Sequence, residues 1–183
     1  MDDIRHPLLR RLYDYWSQKR GDRRLPQRKD IDPTELPAEL WPHLLLQDVV
    51  MQNDRVRFRY CIVGEHFREQ IGRHVAGTFS DIALAPLGGY ARYVIELFAD
   101  SVWRATPSYS ENLFKPTGQR ATTLTRRLIL PLSENGETVD KVLSGHVFEF
   151  PRADNIQFGS GVEDFQETFR LELRDRHAPL EAP

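Results

Sequence analysis

Two runs rich in branched and aromatic residues, 122–132 and 139–150, flank Ser133-Glu134-Asn135-Gly136. Asn-Gly at such a break is a strong hairpin signal, because both residues tolerate positive φ. A chain carrying this pair must build an antiparallel sheet, and the rest of the sequence has to cover it. A third candidate strand, 107–114, precedes the pair. Two more, Leu44 to Val50 and Val56 to Val63, turn around Asn53-Asp54. In the second of these, Val56, Phe58, Tyr60 and Ile62 alternate with Arg57, Arg59 and Cys61, which makes one face apolar.

Helical spacing marks the cover. Tyr90, Tyr93, Val94, Leu97, Phe98 and Val102 recur at 3.6-residue spacing after Gly88-Gly89, predicting a helix over about 90–103. Phe67 and Ile71 suit one face of a short helix before Gly72, and 78–88 reads as irregular. Near the start, Pro7 stands at a first-turn position, and Leu8, Leu9, Leu12, Tyr13 and Trp16 follow at helical spacing until Gly21. Four prolines between Arg23 and Pro42 then limit the chain to a wrapping linker. The sequence thus divides into an amphipathic helix (1–22), a Pro-rich linker (23–43), a sheet-and-helix body (44–150) and an extension (151–183). In the extension a flexible Gly159-Ser160-Gly161 precedes an amphipathic 162–174, with Val162, Phe165, Phe169 and Leu173 on one stripe.

The 183 residues suffice for one core without staples. Their longest apolar runs, such as Leu44-Leu45-Leu46, are far short of the roughly 20 residues a membrane span needs. Residues 1–30 hold nine Lys/Arg and five Asp/Glu with no apolar stretch, unlike a signal peptide, so a cytoplasmic location is expected. A net charge of −2 offers no general attraction to nucleic acid. The single cysteine, Cys61, cannot pair internally or build a thiolate metal site.

Several short motifs sharpen this α+β reading. They run Leu12-Tyr13-Asp14-Tyr15-Trp16, Arg24-Leu25-Pro26-x-Arg28, Asp30-Ile31-Asp32-Pro33, Leu36-Pro37 and Trp41-Pro42-His43-Leu44 with Asp48. Phe58-Arg59-Tyr60 with Gly64, Gly72 and Gly77 follows, and then Arg127-Leu128-Ile129-Leu130-Pro131-Leu132-Ser133 before Gly136. As a series they resemble the small, often stand-alone bacterial PAS domain family, over about residues 8 to 148. Glu65, where the family pattern has Thr, and the tail beyond 151 depart from it.

The resemblance implies a PAS-like five-stranded antiparallel sheet with helices on one face, preceded by the amphipathic helix. It implies a non-catalytic sensory or regulatory module that binds a small molecule or a protein partner. Periodicity nominates Phe58, Tyr60 and Ile62, opposed by Tyr93, Val94 and Leu97 and by Leu128 and Leu130, as cavity lining. The same residues equally suit a dry core. Arg126 shares the parity of Leu128 and Leu130, so it should point to the apolar side and meet an anion, from a ligand or from a neighbouring Glu or Asp. No cofactor is expected: the helical crossing lacks the reactive cysteine of flavin photoreceptors, and 90–103 lacks a haem histidine. His66 and His74 read as surface residues. Leu8, Leu9, Leu12, Tyr13 and Trp16 form a stripe that needs cover, from a second subunit, a signalling partner or the chain's own sheet.

Two other classes compete. A cone-fold isomerase or dehydratase would use Asp140, His146 and Tyr60, the first two being on one face of a strand. A cyclic-dinucleotide effector would use Arg20, Arg24 and Arg28, which have the spacing of an arginine arm, although the companion Asp/Asn-x-Ser-x-x-Gly motif does not occur.

Overall fold

Alternation along the strands and the turn chemistry between them build the sheet directly. In the computed structural model, which describes residues 3–118, 122–149 and 161–173, β1 (Leu44–Gln52) and β2 (Arg55–Val63) pair antiparallel across Asn53-Asp54. Both turn residues take positive φ, 50° and 59°, as a two-residue type I′ connection requires. β4 (Thr123–Leu132) and β5 (Lys141–Glu149) form the second hairpin. Its loop is longer than a two-residue Asn-Gly turn, because the Asn135 side-chain oxygen accepts from the amides of Glu137 and Thr138 and organises 133–140 locally. β3 (Ser108–Pro116) pairs with β4, and β1 with β5.

The sheet has six strands, in the order β2-β1-β5-β4-β3-β6, rather than the expected five. The sixth, β6 (Val162–Glu172), comes from the C-terminal extension and pairs along β3. Its apolar residues are spaced like a helical stripe because two irregularities in the pairing shift the parity. Phe165 therefore packs on Tyr90 and Tyr93, whereas Phe169 packs on Tyr109 and Arg5 across the sheet. Pro151 and Gly159-Ser160 lie outside the described residues.

Helices cover both faces, not one. On the first lie α2 (Glu65–Ile71), α3 (Ser80–Ala83) and α4 (Gly89–Arg104), so part of the region read as irregular is a single helical turn too short to show a period. Gly64, which leads from β2 into α2, has no room for a side chain, because a Cβ would sit 2.3 Å from the Pro42 carbonyl oxygen. On the second face lies α1 (Pro7–Arg20): Leu9, Leu12 and Trp16 are buried, and the Trp16 indole donates to the Pro131 carbonyl at 3.0 Å. Those three side chains are thus covered by the chain's own sheet rather than offered to a second subunit, while Leu8 and Tyr13 are half-buried. The linker follows the same face, burying Leu25, Ile31, Leu36 and Leu40 in one core with α1. No helix among the described residues is long and apolar enough to cross a membrane.

Candidate functional site

A cavity lies between the first face of the sheet and α2–α4. Its sheet wall is Leu45, Gln47, Phe58, Tyr60, Arg127, His146 and Phe148; Phe67, Ser80, Leu84, Tyr90, Val94 and Phe98 stand among the residues opposite. The space open to the centres of water-sized molecules is about 30 Å³, room for one or two waters.

Of the eight residues nominated from periodicity, Phe58, Tyr60 and Val94 line this cavity. Ile62 points to the other face and is exposed. The reason is a bulge in β2: Tyr60 pairs with Gln47 and Ile62 with Leu46, so Cys61 is the extra residue and reverses the alternation after it. Leu128 and Leu130 also lie on the α1 face, since Leu128 pairs with Gly145, over which Leu9 and Leu12 are packed. Leu97 is buried but does not reach the wall, and Tyr93 donates to Glu167 at 2.8 Å at the margin of β6. Arg126 is on the α1 face as well, where Glu111 (3.1 Å) and Glu149 supply its anions.

The polar wall comes from the opposite parity of β4 and β5. Arg127 is 3% exposed and His146 2% exposed, and both face the cavity. Among the described residues the Arg127 guanidinium reaches only neutral oxygens, Asn112 Oδ1 at 3.3 Å and the Tyr90 hydroxyl at 3.2 Å, and its Nε has no partner. His146 sits in a box of Phe67, Phe98 and Phe148 rings. Its Nε2 is 3.0 Å from Ser144 Oγ, and its Nδ1 has no partner. Burial, reinforced by the charge of Arg127 and then by His43, holds its pKa well below the usual histidine value, so the ring is neutral. On the same wall, burial pushes the Tyr60 phenol up to about 12, with a hydrogen bond to Ser80 and the Arg127 charge pulling the other way. The Gln47 amide donates to Ser80 at 2.7 Å, which leaves Gln47 Oε1 without a partner.

The competing catalytic set is not assembled. Tyr60 and His146 share the cavity, but Asp140 is in the 133–140 loop, where it accepts from the Glu134 amide at 2.7 Å. The Ser144–His146 contact resembles a nucleophile–base pair, yet Ser144 is not a wall residue and no carboxylate orients the imidazole among the described residues. The N-terminal arginines are engaged within the chain: Arg24 donates to the Arg104 carbonyl, Arg28 to the Ile31 carbonyl, and Arg20 lies over the Trp16 ring. His66 packs edge-on against His43 and His74 is exposed; no group of three potential metal ligands occurs among the described residues. Cys61 is exposed on the bulged strand.

An antiparallel sheet ordered 2-1-5-4-3, with a short helical crossing and one longer helix over a cavity, is the architecture of a PAS-type domain. The chain belongs to the PAS domain family, whose sequence profile matches residues 4–146, taking in α1 and the linker as well as five strands. It is accordingly a sensory or regulatory domain. No curated protein and no solved structure matches it.

Proposed function

We propose that this domain works without catalysis, holding a small molecule between the sheet and α2–α4 and passing its occupancy to a protein partner. The observation that carries this reading is the polar wall. A core that had only to be dry would not bury Gln47, Arg127 and His146 with Gln47 Oε1, Arg127 Nε and His146 Nδ1 unpartnered, because each such atom costs about 1–3 kcal/mol. A ligand's polar groups would offset that cost. The space must widen to admit more than waters, and the wall best placed to yield is residues 65–88. It consists of helices of seven and four residues and a single 3-10 turn, with few backbone hydrogen bonds to break. Movement there would change the surface that a partner reads.

Native mass spectrometry of the purified full chain, followed by solvent extraction, tests this. A mass excess that disappears on denaturation and is recovered as a small molecule is the expected result. A chain of bare mass that no compound in a broad thermal-shift screen stabilises would overturn it.

A further inference from the structure

The chemical class of the occupant follows from the charge balance of the wall. A guanidinium cannot be deprotonated in a protein, so Arg127 is a buried cation. Among the described residues, the other fully buried charge on the sheet, Glu111, and the partly buried Asp48 are both answered by opposite charges. Glu111, 4% exposed, receives Arg5 and Arg126, each at 3.1 Å. Asp48 receives Lys141 and Arg59. Arg127 has no carboxylate among the described residues, and its two hydrogen bonds, 3.3 and 3.2 Å, are long and made to neutral groups that also bond each other. Two of its five N–H donors are used, and Nε is buried and unpartnered in the cavity wall. A buried charge left this way is costly unless an anion completes it.

Resting on the reading that the cavity holds a ligand, we propose that the ligand is a small monocarboxylate with an apolar body. Its carboxylate is seated on the Arg127 guanidinium, and its body lies among Phe58, Phe67, Phe98 and Phe148. A planar carboxylate matches the guanidinium fork. A single negative charge suits a wall with a single cation, since His146 is neutral, and a phosphate dianion would leave excess charge buried. Beyond Arg127 and the neutral His146 the lining residues carry no charge, so the wall provides no site for a second charged group.

The test uses the purified full chain and matched probes: benzoate against benzamide, butyrate against butyramide, and inorganic phosphate. Binding is read by calorimetry and by the shift in melting temperature. Each acid should bind saturably, and its amide should bind about 10- to 100-fold more weakly, the equivalent of one or two charged hydrogen bonds. Arg127→Gln should abolish the preference for acid over amide. Without any probe it should melt no lower than the wild type, since it removes an unpaired buried charge.

Equal binding of acid and amide by the wild type overturns the assignment, and this arm needs no variant. Tighter binding of phosphate than of benzoate overturns the monocarboxylate class. An Arg127→Gln protein that unfolds shows the guanidinium to be a structural element and overturns the assignment too. Binding of neutral molecules alone refutes the carboxylate and keeps the ligand cavity. Absence of any binding, together with a bare mass for the purified chain, refutes both.

Discussion

Replacing Gly145 by alanine tests how α1 is held. Gly145 lies on β5 between Leu44 of β1 and Leu128 of β4. A Cβ built there falls 2.6 Å from Leu9 Cδ2 and 2.8 Å from Leu12 Cδ2, well inside van der Waals contact. Both leucines are fully buried, so neither can swing into solvent to make room. Overpacking of this kind costs about 1–3 kcal/mol. At about 2–4 °C per kcal/mol for a chain of this size, the melting temperature should fall by about 2–12 °C. Leu9→Ala alone should cost about 2–5 kcal/mol, and the space it opens is where the new methyl would go. The double variant should therefore be more stable than the sum of the two single losses, a coupling that a urea-denaturation cycle resolves. A Gly145→Ala protein that melts with the wild type, or two losses that simply add, would show that α1 does not rest on β5. Its apolar stripe would then be available to a second subunit, and light scattering would find a dimer.

Other outcomes follow from the charged groups. His146 is neutral in the fold and has an ordinary pKa when unfolded, so its folded value is the lower one. Its contribution is complete above about pH 6.5 and shrinks as pH falls, by about 1 kcal/mol between about pH 7 and 5.5. His146→Phe, which suits the phenylalanine box, should flatten that part of the stability curve; an unchanged slope would refute the assignment. Asp48 is pulled both ways: its burial raises the carboxyl, but the hydrogen bonds from Lys141 and Arg59, with Cys61, outweigh this and hold it at about 2. The stability it adds is present above about pH 3.8 and is lost as pH falls through about 2. Lys141→Met should move the carboxyl up toward the ordinary range, as followed by carbon NMR. Cys61→Ser should change stability by under about 0.5 kcal/mol in a urea melt, since the thiol is exposed at the bulge.

The two hairpins, α4 and the helical character of 7–20 are legible in the sequence, because turn residues and periodicity are local properties. What is not legible depends on pairing. Nothing in Tyr60-Cys61-Ile62 announces the extra residue, and a single bulge moves Ile62 from the cavity to the α1 face. Residues 162–172 carry a helical spacing that only their register against β3 explains. On β4 the apolar residues mislead for a different reason. The centre of the sheet is covered on both faces, so Leu128 and Leu130 mark the face under α1 just as well as a cavity. The usable signal is the opposite one: Thr125 and Arg127 on β4 share a face with Ser144 and His146 on β5. Of these, Arg127 and His146, paired across β4 and β5 and buried where both faces of the sheet are covered, are the part of the proposed site that the sequence displays.

We have proposed that the face bearing Tyr60, Arg127 and His146 holds a ligand. A high-resolution crystal structure of the chain, purified without denaturation and then soaked with benzoate, examines it most directly. The expected result is planar density with two oxygens within hydrogen-bonding distance of the Arg127 guanidinium and a ring among Phe58, Phe67, Phe98 and Phe148, the 65–88 wall having moved outward. Density for one or two isolated waters there, with a carboxylate of the chain itself seated on Arg127, would contradict it.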